Sequence, residues 1–411
     1  MGMSNHVGMQ FCSVTIGEPL TSGPILLGSD DHIFAVCGTK SGHLIKAPLV
    51  FSQVRTPRTD FERIEIRKGA TPNLKQLFLD EEFSSAIVSI IPVRGAWIIT
   101  LQDGETYRLE EGVAKKIHET ESAINSSGEL IVHKGEQLVA FGTLEGQLVI
   151  ITPTGEQRAH LSIADSILTS PTYCPDTRRL LVCTGEGKVH CFSIVDELLP
   201  EPDWVYDTGS GKPIEGSLAS GRLLGSKEVY YVFGSSDKHL YCIDQDGVLL
   251  WKFPTEGRVL SGVTIADINN DGVAEIVFGS CDDRTYVLNA YGNELWNYET
   301  DFWVVAQPQA MSVTNPQNKE IFIGSYDSNL YCFAADADFV PSFFSGASGI
   351  VQQAASFETT SSEALAGYFA RELFTVNSNG MIMGLTRDDE RRVIAGITNK
   401  GELLALRFTS R

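Results

Sequence analysis

The amino-acid sequence predicts an all-β fold, a closed β-propeller, from three observations. Short strand-like runs separated by turns fill the 411 residues, which include 38 glycines. Helical periodicity is scarce along the chain. Most directly, several residue types recur with a period of 45 residues in the middle of the sequence, which indicates successive copies of one structural unit.

The repeated unit has the composition of a four-stranded sheet. The residues that recur are Gly234, Gly279 and Gly324; Asp237, Asp282 and Asp327; Tyr241, Tyr286 and Tyr331; and Trp251 and Trp296. Within one unit, residues 230–233, 240–243 and 249–253 are rich in β-branched, aromatic and other apolar residues, and the preceding segment supplies a fourth strand. One such sheet cannot bury both of its faces, so we expect the units to pack face to face around an axis.

The remaining units are more diverged but follow the same order of strands and turns. We expect four-stranded antiparallel blades, eight in number with seven as the alternative, in a single domain of residues 1–411. Inserts are predicted at residues 52–83 and 358–373. The final unit lacks an outer strand, and an N-terminal strand at about residues 10–16 is predicted to supply it and to close the ring without exposed edges.

Charge and segment composition narrow the class of partner. The formal net charge is −20, which disfavours nucleic acid and anionic membranes. No run of 18 apolar residues is present, and the first 17 residues lack a basic segment followed by an apolar one. We therefore expect an acidic cytoplasmic protein with no membrane association, whose eight cysteines, none in a Cys-x-x-Cys pair, are reduced and buried.

Two segments carry a family resemblance. Residues 242–251 and 286–296 resemble the tryptophan-docking segment of PQQ-like repeats, found in the quinoprotein alcohol dehydrogenase-like superfamily. The resemblance implies a propeller in which Trp204, Trp251 and Trp296 dock between neighbouring blades. A PQQ-dependent dehydrogenase is the least favoured function, because family enzymes of that kind are exported and many have an adjacent-cysteine disulfide, and this sequence shows neither feature.

One loop has the residue pattern of a calcium site. Its candidate ligands are Asp267, Asn269, Asp271, the Val273 carbonyl and Glu275. Alternating oxygen-bearing side chains can converge on a hard cation, and the loop resembles those of integrin-type FG-GAP repeats. The neighbouring units lack the acidic positions, although Glu320 matches Glu275. We predict one structural Ca²⁺, and the alternative is an Asn-Asp-Gly turn without metal.

The axial funnel of a propeller is its default ligand site. The candidate lining residues are Ser22, Thr169, Glu215, Ser261, Trp303, Gln307 and Gln352. Glu215 is the only charged member, and a single carboxylate does not form an acid–base pair. The sequence therefore favours a non-catalytic binding or scaffold propeller that presents its faces and funnel to a protein or small-molecule partner. The alternative is a propeller lyase or hydrolase with its active site in the funnel.

Overall fold

The fold is an eight-bladed β-propeller. A computed structural model describes residues 7–54, 78–195, 198–199, 201–224, 227–313, 318–336 and 369–410. These residues form eight antiparallel sheets, of which seven have four strands and one has five. The innermost strands of neighbouring sheets contact one another at seven of the eight junctions, including that between the last sheet and the first, and the remaining pair of sheets shares a buried apolar cluster, so the sheets form a closed ring. The predicted blade number is confirmed.

Blades 1 to 4 occupy the first half of the chain, with strands given from the axis outward. Blade 1 contains β2 (Leu20–Ser29), β3 (His32–Thr39), β4 (His43–Pro48) and β6 (Phe78–Glu82). Blade 2 contains β7 (Ile87–Val93), β8 (Ala96–Leu101), β9 (Glu105–Glu110) and β10 (Val113–Glu119). Blade 3 contains β11 (Glu129–His133), β12 (Glu136–Gly142), β13 (Gln147–Ile151) and β14 (Gln157–Ser162). Blade 4 contains β15 (Thr172–Cys174), β16 (Arg179–Cys183), β17 (Lys188–Ser193) and β18 (Trp204–Asp207).

Blades 5 to 8 complete the ring. Blade 5 contains β19 (Ala219–Gly221), β20 (Tyr230–Ser235), β21 (His239–Asp244) and β22 (Leu249–Pro254). Blade 6 contains β23 (Thr264–Ala266), β24 (Glu275–Gly279), β25 (Arg284–Leu288) and β26 (Glu294–Glu299). Blade 7 contains β27 (Gln309–Met311), β28 (Glu320–Gly324), β29 (Asn329–Asp336) and β30 (Phe369–Asn377). Blade 8 contains β31 (Ile382–Asp388), β32 (Val393–Thr398), β33 (Glu402–Ser410), β1 (Val7–Thr15) and β5 (Ser52–Val54).

The N-terminal strand closes the ring, as the sequence predicts. Strand β1 pairs with β33 in antiparallel register from Val7 opposite Ser410 to Thr15 opposite Glu402. Its other edge pairs with β5, so β1 lies inside the sheet of blade 8 and β5 forms the outer edge. Both termini of the described chain are therefore held in one sheet, which removes the open edge that an unclosed ring would expose.

The two predicted inserts lie largely outside the described residues. Of residues 52–83, the structure describes β5 and β6 at the two ends, which belong to blades 8 and 1. Of residues 358–373, it describes 369–373, and these form the first part of β30. The sequence does not predict this strand as the outer strand of blade 7, because the preceding apolar segment of that unit ends more than thirty residues earlier, at Asp336.

The core lies between the blades. The second strand of a blade packs on both faces, so β20 and β24 are buried at every position and read as continuous apolar runs. Outer strands alternate instead, as β22 does between half-buried and exposed residues. One cluster joins Val232 and Cys242 of blade 5 to Ile276 and Phe278 of blade 6. Burial of such apolar surface is the main favourable term in folding.

The predicted tryptophan docking is present at two junctions. Trp204 of blade 4 lies over Gly247 of blade 5 and donates a hydrogen bond from Nε1 to the Gln245 carbonyl at 2.9 Å. Trp251 of blade 5 repeats this contact over Gly292 of blade 6, with a 3.2 Å bond to Ala290. A Cβ atom at Gly292 would lie 2.5 Å from the Trp251 indole, so only glycine fits there.

Trp296 occupies the same repeat position in blade 6. It is 7% exposed and packs against Phe333 of blade 7, with the ring centroids 5.8 Å apart. Trp251 is only partly buried. None of the residues that the structure describes belongs to an apolar helix of membrane-spanning length.

Candidate functional site

One face of the ring is built from two repeated parts, the turn between the second and third strands and the connector that enters each blade. In every blade the second turn residue donates its backbone N–H to a connector carbonyl, as Cys281 does to Arg258 at 2.8 Å and Tyr326 to Trp303 at 2.9 Å. The other donor–acceptor pairs are Lys40–Pro19, Gln102–Ala86, Leu144–Ala123, Gly185–Ser166, Ser236–Pro213 and Asn399–Met381. These bonds define equivalent positions around the funnel mouth.

A buried hydroxyl fixes the shape of several connectors. Thr300 donates to the carbonyls of Asp283 (2.9 Å) and Phe302 (2.5 Å). The same two bonds recur in other blades, from Thr120 to Gly104 and Ser122, from Thr255 to Lys238 and Gly257, and from Ser378 to Ser328 and Gly380. Phe302 therefore occupies the position that holds Ser122, Gly257 and Gly380 in the other three connectors.

Phe302 forms an aromatic platform at this face. Its side chain is 41% exposed and stacks on Trp303, with ring centroids 5.3 Å apart and planes at 23°. The Arg258 guanidinium lies 5.8 Å from the Trp303 ring centroid, within cation–π range. Together with Cys281 and Tyr326, whose turns bond to these connectors, these residues are called the funnel-mouth cluster (Arg258, Cys281, Phe302, Trp303 and Tyr326).

The cluster contains no activated nucleophile. The pKa of the Cys281 thiol is raised to about 11, mainly by burial; Arg258 opposes this rise, and the Asp282 and Glu215 carboxylates contribute to it. Burial also raises the pKa of Tyr326. Because their pKa values are raised, both groups are protonated at neutral pH. A thiol becomes a nucleophile only as the thiolate, so Cys281 is not activated. The arrangement is suited to contact by a ligand rather than to covalent chemistry.

Glu215 stands alone among its equivalents around the funnel. Glu215 is exposed, whereas its neighbours Ile214 and Gly216 are buried. The side chain of Glu215 therefore points toward solvent. Its Oε2 accepts a hydrogen bond from the Ser236 hydroxyl. The equivalent positions, two residues after each connector carbonyl, hold Thr21, Val88, Asn125, Leu168, Leu260, Val305 and Met383.

The structure separates the predicted funnel residues into two groups. Glu215 and Gln307 are exposed, and Gln307 also donates from Nε2 to the Val263 carbonyl at 2.8 Å. Ser22, Thr169 and Ser261 are buried, with exposed fractions of 9%, 4% and 0%. The Ser261 hydroxyl donates to the Gly279 carbonyl (3.0 Å) and accepts from the Gly279 N–H (2.8 Å). These three side chains therefore present little surface to a ligand.

Two further predicted positions have different outcomes. Trp303 is half-buried in the funnel-mouth cluster. Gln352 lies outside the described residues, and the innermost strand of blade 8 is β31 rather than the segment around residue 352. Arg258 and Met383 were not predicted. Phe302 is predicted from the sequence, together with Trp303, to lie at the funnel mouth, and a 45-residue shift aligns it with Gly257.

The predicted calcium loop is held by its own hydrogen bonds. The Asp267 carboxylate accepts from the N–H groups of Asp271 (3.1 Å) and Gly272 (3.0 Å). Asn269 Oδ1 accepts from Asp271 at 3.0 Å, and Asp271 Oδ1 accepts from Val273 at 2.8 Å. Among the described residues, no group of three or more His, Cys, Asp or Glu side chains is arranged to hold a metal ion.

Glu275 has a structural role that needs no ion. Its buried carboxylate accepts from the Ile268 N–H at 2.8 Å, and Glu320 accepts in the same way from Val313 at 2.7 Å in the next blade. Burial raises the pKa of Glu275 to about 7, with Asp271 and Asp267 adding to the effect. The oxygens that remain for a hard cation are those of Asp267, Asn269 and Asp271, with the Val273 carbonyl.

The recurring aspartates cap their turns. Each accepts a hydrogen bond from the recurring tyrosine four residues later, at 2.5 Å for Asp237, 2.9 Å for Asp282 and 2.7 Å for Asp327. Asp237 and Asp327 also accept the N–H two residues on, at 3.1 and 2.8 Å. These carboxylates therefore serve the repeat and do not form a shared acidic site.

A surface pocket between blades 2 and 3 is a weaker candidate. Its lining includes Arg94, Gln137, Thr152 and Arg158, and its volume is about 320 Å³. Arg158 is paired with Glu136 at 2.9 Å and with Glu156 at 3.2 Å, so its charge is compensated within the pocket. The pocket has no exposed aromatic side chain to anchor a ligand.

Comparisons with known proteins support the propeller. Residues 230–383 match the family model of the lambda-carrageenase beta-propeller domain, a segment that includes the funnel-mouth cluster but less than half of the chain. The crystal structure of the computationally designed Ika8 protein is similar, with a TM-score of 0.62 and 14% identity over 97% of this chain and 98% of that chain. A chain in the crystal structure of the Mitotic Checkpoint Complex has a TM-score of 0.53 and 12% identity, over 79% and 90%.

These similarities define the fold and leave the function open. Identities of 14% and 12% concern the fold alone, since propellers carry many unrelated functions. No curated protein matches the chain. The function must therefore be inferred from the site.

Proposed function

We propose that the protein is a non-catalytic binding propeller that engages a protein or small-molecule partner at the funnel-mouth cluster. The observation that carries this proposal is Phe302. A large, exposed aromatic side chain occupies a connector position where Gly257 and Gly380 suffice in other blades. The repeat supplies no aromatic side chain at this position in those blades, which supports a role for Phe302 outside the fold.

The composition of the cluster supports binding. Aromatic residues and arginine dominate the energetic centres of protein interfaces, and Phe302, Trp303 and Arg258 lie together here. The exposed Met381 and Met383, 37% and 40% exposed, follow in the connector and inner strand of the next blade. Methionine adapts its shape to a contacting surface, which suits a binding face.

The alternative of a lyase or hydrolase in the funnel has less support. General acid–base catalysis needs positioned titratable groups, and Glu215 is the only titratable residue among the eight equivalent positions around the described ring. The match to a carrageenase-type propeller domain favours this alternative, because that domain family is named after an enzyme. It would be preferred if Glu215→Gln abolished the cleavage of a carrageenan substrate by the purified protein.

The binding proposal is tested with a random-peptide phage library selected on the purified protein. Selected peptides should bind the wild type and lose at least about tenfold in affinity for Phe302→Ala, since removal of an interface anchor costs more than about 1.4 kcal/mol. Tyr291→Ala is the matched control, because Tyr291 is 67% exposed on a turn of blade 6 outside the cluster. Equal binding to the two variants would contradict the proposed site.

We also propose that the loop from Asp267 to Glu275 binds one Ca²⁺ that stabilises blade 6. Support comes from the donor set, since all candidate side-chain ligands are oxygens and a hard cation prefers oxygen. The loop bonds already hold Asp267, Asn269 and Asp271 within one short turn. An ion there would supply no chemistry to the funnel mouth.

A further inference from the structure

We propose that the partner at the funnel mouth is a polypeptide segment that carries a lysine or arginine beside an apolar side chain. The cation would pair with Glu215, and the apolar group would pack on the Phe302–Trp303 stack. This inference rests on the proposed binding function and adds the chemistry of the partner.

Glu215 provides the charge for such a contact. Glu215 is exposed in the connector that enters blade 5, and its seven equivalents around the ring carry no charge. Ser236 donates to its Oε2, and among the described residues no lysine or arginine forms an ion pair with Glu215. An exposed carboxylate without a paired cation attracts a cationic group of an approaching ligand.

The rim around the cluster reinforces this potential. The carboxylates on the turns and connectors of blades 5 to 7 are those of Asp237, Glu256, Asp282, Asp283, Asp301 and Asp327. The cations on the same segments are Lys212, Lys238 and Arg258. Because the whole chain also carries a net charge of −20, a basic segment is attracted at long range and an acidic one is repelled.

Arg258 contacts Trp303 rather than forming an ion pair with Glu215. Its guanidinium lies against the Trp303 ring, where it extends the flat surface of the stack. Both Arg258 and Glu215 influence the Cys281 thiol, in opposite directions, so the two charges lie near the same residue without pairing. The cluster therefore offers an aromatic surface next to an acidic one, which matches an apolar side chain next to a basic one.

The test uses the peptides selected on the wild type under the proposed function. Those that depend on Phe302 should carry net positive charge and should bind more weakly at higher salt, as screened charge pairs do. Glu215→Gln should weaken them by about tenfold, equivalent to about 1.4 kcal/mol. Glu145→Gln is the matched control, because Glu145 is an exposed carboxylate on the turn between β12 and β13 of blade 3, on the same face of the ring but outside the cluster.

The outcomes separate the two proposals. Peptides that need Phe302 but are neutral or acidic, or that bind Glu215→Gln as well as wild type, would overturn the basic partner and leave the binding site standing. The basic-partner proposal would also be overturned if a carrageenan oligosaccharide bound at the cluster and none of the selected peptides competed with it. If no Phe302-dependent peptide can be selected, this inference is overturned. If a small molecule that binds the wild type also binds Phe302→Ala with equal affinity, the proposed site is wrong as well.

Discussion

Aromatic residues serve different purposes at the blade junctions and at the funnel mouth. Trp204 and Trp251 each lie over a glycine of the next blade and bond to a neighbouring carbonyl, so their aromatic surface fills a gap that the fold leaves for it. Phe302 lies where the equivalent connectors have Gly257 and Gly380, and it stacks on Trp303 at an open face.

The difference gives a criterion for separating structural from functional aromatics in a repeat protein. A structural aromatic recurs with the repeat and meets a matching glycine, as Trp251 and Gly292 do. A functional aromatic departs from the repeat and projects where its equivalents need no side chain. The comparison predicts that changes to the framework alter stability, whereas changes to Phe302 alter binding.

The largest effect is expected from removing the framework's closure. Deleting residues 1–17 removes β1, which pairs along nine residues with β33 and contributes the buried Phe11, Cys12 and Val14. We expect the variant to be unfolded or to melt far below the wild type by circular dichroism. Deletion of residues 1–6, which ends before β1, is the control. An unchanged melting curve for the longer deletion would show that the ring closes without this strand.

Truncation of a docked tryptophan should have the next largest effect. Trp251→Ala removes the indole that covers Gly292 and should lower the free energy of unfolding by roughly 3–5 kcal/mol, as for other large aromatic truncations. Chemical denaturation measures the change. Peptide binding should remain in the folded fraction, because Trp251 is not part of the funnel-mouth cluster. Stability equal to that of the wild type would contradict the docking role.

A smaller, pH-dependent effect is expected at Glu129. Burial raises the pKa of its carboxyl from 4.5 to about 7, although the Tyr173 N–H opposes this. Since the folded state holds the proton more tightly, the stability contributed by Glu129 is present below pH 4.5 and is lost as the pH rises to about 7.

Glu129→Gln keeps the acceptor for Tyr173 and removes the titration. Relative to the wild type, we expect the free energy of unfolding of the variant to increase between pH 4.5 and 7. The increase should be at most about 3 kcal/mol, at about 1.4 kcal/mol per pKa unit. Denaturant unfolding at several pH values measures this difference. A constant difference across the range would mean that Glu129 does not titrate there.

Calcium should give the smallest stability change. Binding to the folded state alone raises stability by about 2.7 kcal/mol at a hundredfold excess over the dissociation constant. The melting temperature should therefore fall with chelator and recover with Ca²⁺, and the double variant Asp267→Ala, Asp271→Ala should not respond. A response that persists in this variant would place the ion elsewhere, and no response in the wild type would favour the metal-free turn.

Much of the fold follows from the sequence because the repeat is local. The 45-residue period locates β20 to β29, and the missing outer strand of blade 8 predicts the N-terminal closure. Strand β30 was harder to predict, because it pairs with β29 across residues 337–368, and such a pairing leaves no local pattern.

The site was predicted less completely, for a physical reason. Side chains alternate along a strand, so an error of one residue in the predicted face exchanges channel and interior. Ser22, Thr169 and Ser261 are buried, whereas the exposed Thr21, one residue before Ser22, faces the open side. Glu215 and Gln307, which were predicted to line the funnel together with these three, are exposed in the structure.

The most direct test of the central claim compares stability and binding in one variant, Phe302→Ala. The account predicts an unfolding free energy within about 0.5 kcal/mol of wild type, as for surface substitutions away from structural features, together with at least a tenfold loss of affinity for the selected peptides. A loss of stability comparable to that of Trp251→Ala, or unchanged peptide affinity, would contradict this account. Phe302 would then be a structural residue like the docked tryptophans.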